Sequence, residues 1–346
     1  MINLAIVGCG RVTRIAHLDA LAKLADRYRI SAVCDINPEA LAATVEKTGA
    51  KGYGDYESLL ANEQPDLLVL NVANGLHAPL AHQAIEAGLK AIAIEKPLAM
   101  SLKEADRLIE VADRAGVKLF TILQNRYNPP VRRLKAAIDA GRMGRLLSVQ
   151  MNLFWHRERS YYEGALSWHA DAKMAGGVMT NQAVHYLDLL LYLSGQRPLE
   201  AYAQVGHRFK LAVEDYGAGV IAFDRGLIAA FNLSNHAPGF DREGSMTLIG
   251  EKAMVKIGGK ALNRIDLWAF EASLPEDETA LEPSKEPPTV YGYGHFDFYR
   301  AVADCLQNGQ CAEAISGREG RRSVALLSAL RASILTHKPQ PVVHLD

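Results

Sequence analysis

Three short stretches of this 346-residue chain combine residue types and spacing that can do chemistry. The first is Gly8-Cys9-Gly10-Arg11-Val12-Thr13, directly after an apolar run. A first glycine permits a tight turn there. A second lets the main chain approach a pyrophosphate seated on the N-terminus of the next helix. The second stretch is Asp35, at the end of the following apolar run, with Ile36 and no arginine beside it. A carboxylate in that place accepts hydrogen bonds from a ribose 2′-hydroxyl and repels a 2′-phosphate, which favours NAD over NADP. The same carboxylate can instead serve only to cap the helix opened by Asn37-Pro38. The third is Glu95-Lys96-Pro97-Leu98, which closes a later apolar run. A lysine at a strand's carboxyl end, partly desolvated beside a cofactor, loses its proton more readily and can act as acid or base. Taken alone, a surface lysine paired with Glu95 is the plainer reading.

The elements that must position these residues follow from periodicity. Continuous apolar runs at 2–7, 30–34, 66–70, 91–94 and 117–122 alternate with helical patterns at 12–24, from Asn37-Pro38, at 77–88 and at 101–115. Runs of that kind, spaced by helices, predict a parallel sheet covered on both faces. The third motif position holds Thr13 in place of glycine or alanine, which predicts slightly looser packing of the first helix on its strand.

Beyond Gln124 the pattern changes. A helix runs to about residue 140, and strands then follow strands at 147–154, 201–205, 218–223, 227–233, 245–249 and 253–257, interrupted by one helix at 180–193. Asp224-Arg225-Gly226 and Gly250-Glu251-Lys252 read as hairpin turns. Loops are expected at 157–176 and 271–288, and helices at 295–307 and 318–336 close the chain. The fold class is therefore α/β. An N-terminal Rossmann dinucleotide-binding domain at 1–123 precedes a C-terminal α+β domain at 124–346 with a large, mostly antiparallel sheet.

Composition narrows the function classes. Lys plus Arg is 38 against 39 for Asp plus Glu, a net charge of −1, which gives no electrostatic reason to expect nucleic acid. The first apolar run lacks the flanks of a signal peptide, and no run reaches the length of a membrane span. The four cysteines, Cys9, Cys34, Cys305 and Cys311, form no CxxC pair. Reduced thiols and a cytoplasmic location are expected. No His/Cys/Asp group has metal-ligand spacing, so no metal is expected. His17 and His82 read as ordinary helix residues.

The glycine turn at Gly8–Arg11, the Glu95-Lys96-Pro97 element, Gly176-Gly177 ahead of a helix carrying His185, and Gly317-Arg318-Glu319-Gly320 together resemble the glucose–fructose oxidoreductase, inositol dehydrogenase and MocA family. The resemblance extends over essentially the whole chain. It implies an NAD-dependent dehydrogenase acting on CH–OH groups, with Lys96 as acid/base together with His185. It also implies a C-terminal sheet used in oligomer contacts, hence a homodimer or homotetramer. Many members carry Asp four residues before that histidine. Asn181 stands here, on the same helix face at i and i+4, and cannot take a proton. The cofactor set implied by motif and resemblance is Gly8, Gly10, Arg11, Val12, Asp35, Asn71, Ala73, Asn74, His77, Glu95 and Gln124.

A narrower resemblance rests on Gln124–Pro129, Ser160-Tyr161-Tyr162, Trp168 and Thr180–His185. These are similar to the family branch that oxidises the C3 hydroxyl of UDP-N-acetylglucosaminuronate, on the route to amino sugars of bacterial lipopolysaccharide. The stretch Trp168–Lys173 lacks an Arg-Gly associated with that branch. The residue chemistry fits a sugar or nucleotide-sugar ligand. Trp155, Tyr161, Tyr162 and Trp168 can stack on rings, and Arg126, Arg157 and Arg159 can meet a carboxylate or diphosphate. The expected substrate residues are Arg126, Tyr162, Trp168 and Asn181. Two alternatives stand beside this one: an inositol or free-sugar dehydrogenase of the same family, and a catalytically silent NAD-binding regulatory protein.

Overall fold

The computed structural model describes residues 1–163, 168–282, 286–287 and 289–345. It forms two compact units, one of residues 1–124 with 293–324, the other of residues 125–292 with 325–346. Residues 293–324 thus return to the first unit.

In the first unit the strands are β1 (Ile2–Val7), β2 (Tyr28–Cys34), β3 (Lys51–Tyr53), β4 (Leu67–Leu70), β5 (Ala91–Glu95) and β6 (Lys118–Ile122). All run parallel in the order β3-β2-β1-β4-β5-β6, the doubly wound arrangement that puts a ligand crevice beside the carboxyl end of β1. β4 and β5 are buried along their whole length, as a sheet covered on both faces requires. The helices are α1 (Leu18–Ala22, continuing a wider turn at Thr13–His17), α2 (Pro38–Thr48), α3 (Tyr56–Asn62), α4 (His77–Glu86) and α5 (Leu102–Ala115). Local chemistry sets their ends. Asn37 accepts from the main-chain N–H groups of Glu39 and Ala40, with Pro38 in the first turn. Ser101 and Glu104 form a reciprocal capping box for α5.

The second unit is built on an eight-stranded sheet of β7 (Leu146–Phe154), β8 (Pro198–Gly206), β9 (Tyr216–Phe223), β10 (Ile228–Ser234), β11 (Glu243–Gly250), β12 (Ala253–Gly258), β13 (Arg264–Phe270) and β14 (Gln340–Pro341). The order is β13-β12-β11-β7-β10-β9-β8-β14, antiparallel except where β10 runs beside β7. Helices α6 (Pro129–Asp139), α7 (Gly177–Asn181) and α8 (Val184–Ser194) pack against β12, β10 and β7. The other face of the sheet leaves Val220, Ile228, Ile249 and Met254 exposed.

The single helix expected at 180–193 is two. The N–H groups of both Gln182 and Ala183 reach back to the Val178 carbonyl, which widens the turn and breaks the register. Asn181 ends α7 and His185 belongs to α8, so they do not share an unbroken i, i+4 face.

Two helices close the chain: α9 (Gly294–Asn308) in the first unit, and α10 (Gly317–Thr336), whose residues fall in both. After α9, Gly309 in a left-handed conformation turns the chain, and Cys311 forms a disulfide with Cys305. This corrects the expectation of four reduced thiols. Cys9 and Cys34 are free and buried. Among the described residues no helix is long and apolar enough to cross a membrane. The loops expected at 157–176 and 271–288 run partly outside the described residues.

Candidate functional site

In the first unit the nucleotide motif is assembled by main-chain bonds between neighbouring strand ends. The Gly8 N–H donates to the Cys34 carbonyl and the Asn71 N–H to the Val7 carbonyl, both at 2.8 Å. Gly8 has φ +97°, and a Cβ there would lie 2.2 Å from the Asn71 carbonyl oxygen, so both conformation and space demand glycine. At Gly10 no atom lies within 4 Å of where a Cβ would stand. That open side, with helix starting at once, is what a pyrophosphate needs.

Thr13 does not loosen the packing. It is fully buried; its hydroxyl donates to the Gly8 carbonyl at 2.6 Å and accepts from the Asn71 amide at 3.0 Å. It clasps the turn to β4, which glycine or alanine could not do.

Asp35 holds two main-chain donors, the Cys9 N–H at 2.6 Å on one oxygen and the Asn37 N–H at 2.7 Å on the other. The capping of α2 falls to Asn37 instead. An ionised carboxylate has about four acceptor sites, so Asp35 retains capacity for a ribose hydroxyl. Gln124 is 3% exposed and its side-chain oxygen has no hydrogen-bond partner, as is true of the Asn71 side-chain oxygen. Buried acceptors left this way ask for a donor, and a carboxamide or hydroxyl of a bound dinucleotide is one. The residues fit NAD. Arg11 is exposed, Val12 and Ala73 are half-buried, and Asn74 is buried in a short turn before α4.

The end of β5 is more closely held. Glu95 is 6% exposed, and its Oε1 lies 3.1 Å from His17 Nε2 and 3.7 Å from His295 Nε2. Its Oε2 accepts the Lys96 main-chain N–H at 3.1 Å. Burial alone would raise this carboxyl. The hydrogen bond from His17, with His295 close by and the charge of Lys96, instead pulls it well below the ordinary carboxylate value. Lys96 is lowered by burial, against the pull of Glu95. This is the direction a proton acceptor at neutral pH requires.

The Lys96–Pro97 peptide is cis. His77 is fully buried, one ring nitrogen 2.6 Å from the Pro97 carbonyl and the other 3.2 Å from that of Val72. His77 thus braces the Lys96–Pro97 turn, and its ring nitrogens face main chain.

His17 is not an ordinary helix residue. It, Glu95 and His295 offer ligand atoms all within 4.8 Å of one another, a group that can be tested for a metal. A tetrahedral shell with bonds of about 2.0–2.1 Å brings ligand atoms to roughly 3.4 Å apart. Here His17 and Glu95 already meet directly through a proton. The spacing rule missed the trio because its members come from three separate elements.

The second unit carries the expected substrate residues. Gly176 caps α7 and Gly177 opens it, with φ +73° and +77°, and a Cβ on Gly177 would lie 2.0 Å from the Glu214 carboxylate. Glu214 Oε1 accepts from the Met179 N–H at 3.1 Å. Burial pushes its pKa up to about 7, although hydrogen bonds from its own main chain and Met179 oppose this.

Arg126 does not face outward to meet a ligand. Its guanidinium makes a buried two-pronged pair with Asp188, Nε to Oδ2 at 2.8 Å and Nη2 to Oδ1 at 2.6 Å, and lies over the Tyr192 ring. Arg126, expected as a substrate contact, is thus held in an internal pair with Asp188.

The aromatic residues do cluster. Tyr161 Oη accepts from Asn181 Nδ2 at 3.0 Å and Gln182 Nε2 at 3.3 Å, and Tyr162 Oη accepts from Asn235 Nδ2 at 2.8 Å. His169 lies between Tyr161 and Trp168, its ring centroid 4.1 and 4.3 Å from theirs. Arg157, paired with Asp241, sits over Trp155 and Tyr161. His185 is 9% exposed on α8.

Residues 2–123 match the model described as oxidoreductase family, NAD-binding Rossmann fold, and residues 131–256 match the GFO/IDH/MocA C-terminal domain. The solved WlbA dehydrogenase from Bordetella pertussis, in complex with NADH and UDP-GlcNAcA, is similar at 36% identity and TM-score 0.90, covering 100% of this chain and 98% of that one. A 1-carboxy-3-chloro-3,4-dihydroxycyclohexa-1,5-diene dehydrogenase of Comamonas testosteroni is 31% identical over 217 residues, 61% of this chain and only 53% of that protein. A myo-inositol 2-dehydrogenase of Thermotoga maritima is 25% identical over 350 residues, covering 96% of each.

Proposed function

The chain belongs to the GFO/IDH/MocA oxidoreductase family as an NAD-dependent sugar oxidoreductase, and on that premise we propose that it oxidises the C3 hydroxyl of a UDP-N-acetyl-aminosugar uronate. The observation that carries this reading is the likeness, over the whole chain, to a dehydrogenase solved with NADH and UDP-GlcNAcA. Bound NAD supplies the hydride acceptor. Gly8, Gly10 and Asp35 hold the dinucleotide, with Gln124 and Asn71 offering it buried acceptors. Lys96 takes the hydroxyl proton, which its lowered pKa supports, and His185 shares the acid/base work as the family pattern implies. Tyr161, Asn181 and Gln182 form an amide and hydroxyl group suited to a sugar, and Trp168 offers a ring to stack on. Loops on a rigid scaffold commonly carry such specificity.

The exposed apolar side chains of the second unit's sheet, Val220, Ile228, Ile249 and Met254, form its contact with another copy. The protein works in the cytoplasm.

The test is thermal shift with NAD, UDP, UDP-N-acetylglucosaminuronate and myo-inositol, followed by NADH formation with whichever ligand stabilises. A native-state ligand raises apparent stability by mass action. Stabilisation by the UDP-uronate beyond NAD alone, with NADH formed, is the expected result. The full-length likeness to the inositol dehydrogenase favours one second reading: response to myo-inositol and to no UDP compound would replace the first by it.

A further inference from the structure

Three buried side chains that the dinucleotide reading leaves unused, His17, Tyr299 and His295, gather at Glu95, all within the first unit. Tyr299 Oη lies 2.6 Å from His17 Nδ1, and His17 Nε2 lies 3.1 Å from Glu95 Oε1. His17 and His295 meet edge to face, their ring centroids 4.7 Å apart. Tyr299 is held in turn by the Tyr28 hydroxyl, which donates to its main-chain carbonyl at 2.7 Å. His17 and Tyr299 are fully buried, and His295 is 2% exposed.

One assignment of protons satisfies this chain. The Tyr299 hydroxyl donates to His17 Nδ1, and His17 carries its proton on Nε2 and donates it to Glu95. The other tautomer would set two lone pairs against each other, unless Glu95 took up a proton that its surroundings disfavour. The far oxygen of Glu95 is then fastened to the main-chain N–H of Lys96.

We propose that His17, Tyr299 and His295 are positioning residues for Lys96: they fix Glu95 as an anion that clamps the Lys96 main chain and governs the charge of its ammonium. The proposal rests on the reading of Lys96 as the proton acceptor. The groups facing Glu95 are His17 from the first helix, Tyr299 and His295 from α9, Lys96 itself, and His77 from α4. His17 is lowered to about 4 by burial and stays neutral at working pH. The negative charge of Glu95 is therefore the favourable neighbour that keeps the Lys96 ammonium from losing its proton more readily still.

Competitive labelling tests this without substrate or turnover. Acetylation of Lys96 by acetic anhydride is followed against pH by mass spectrometry in the whole protein. Glu95→Gln and His17→Leu are expected to move the midpoint for Lys96 down by about one pH unit. His17→Gln, which restores an N–H donor toward Glu95, is expected to keep it near the parent, and Tyr299→Phe to shift it in the same direction by less. Should His17→Leu fail to fold, Tyr299→Phe carries the same comparison. In turnover, the acidic limb of kcat/KM moves to lower pH by the same amount, about tenfold more activity at a pH on that limb. Unmoved midpoints in Glu95→Gln, His17→Leu and Tyr299→Phe overturn the proposal and leave these residues structural. If the midpoints move but Lys96→Met keeps full turnover, the proton-acceptor reading is what fails.

Discussion

Two carboxylates in this chain sit out of bulk water and end in opposite states. Glu95, at the end of β5, is held well below the ordinary carboxylate value, whereas Glu214, beside the start of α7, is pushed up to about 7. Burial raises both. The difference lies in the donors. Glu95 has His17, His295, the Lys96 main chain and the Lys96 ammonium around it. Glu214 has the Met179 N–H and its own main chain, with Arg331 contributing at longer range. The first unit thus sets a fixed negative charge beside Lys96, and the second uses a carboxylate that can be neutral to close a helix start. Burial alone does not decide the charge of a carboxylate; the donors supplied to it do.

The largest test of this contrast is at Lys96. Lys96→Ala is expected to reduce turnover by about 10²–10⁴-fold, the usual weight of a general acid/base. NAD affinity, read by NADH fluorescence titration, should change little, because the glycine turn and Asp35 are untouched. Full activity in that variant would remove the reason for the charge around Glu95.

Next comes a third buried carboxylate, Asp188, whose partner is a full positive charge. Asp188→Ala leaves Arg126 buried without its two-pronged acceptor. The expected cost is about 3–5 kcal/mol. Denaturant unfolding measures it. A cost below about 1 kcal/mol would mean that the pair is solvated like a surface ion pair, and that Arg126 is available to a ligand after all.

Gly177→Ala is expected to cost about 1–3 kcal/mol. Its φ of +77° strains a side chain, and the new methyl would meet the Glu214 carboxylate. In a Glu214→Ala background only the backbone strain remains, so the cost should fall by about half. Full additivity would show that Glu214 yields easily and does not define the turn.

Much of this architecture was legible in the sequence, for reasons that differ between its parts. β4 is apolar from end to end, and β1 and β5 are so except at Asn3 and the terminal Glu95, because both faces of the sheet are covered, and such runs are easily seen. β3 and β14 are too short, and β13 too exposed as an edge strand, to carry a period. Gly8, Asp35 and Lys96 stand in contiguous motifs. His17 and His295 do not: their meeting at Glu95 is a tertiary fact. A signal existed in α9, where His295 and Tyr299 are four residues apart and so project from one helix face. The same rule misled at Asn181 and His185, where the turn at Gln182–Ala183 widens. The pairing of Arg126 was not legible, because a lone arginine in a motif gives no sign that Asp188 waits 62 residues on.

The smallest expected effect sharpens the contrast most, because it fixes a sign. Glu214 titrates near 7 in the folded protein against an ordinary 4.5. Between those values the folded state holds a proton that the unfolded chain has lost, so stability falls as pH rises through this window, and the penalty is complete above about 7. Glu214→Gln has no charge to desolvate. At pH about 8 it should be the more stable protein by about 1–2 kcal/mol, discounted for the side chain's remaining solvent contact, and the gap should close toward pH 4.5. Glu95→Gln must behave in the opposite way. A carboxyl held below its unfolded value adds stability above that value and loses it as pH falls, so removing the charge should destabilise at neutral pH and converge with the parent in acid. Urea midpoints of the two variants at pH about 5 and 8 decide it. Equal, pH-independent offsets in both would mean that the two carboxylates share one environment, and that the donors around Glu95 do not set its charge.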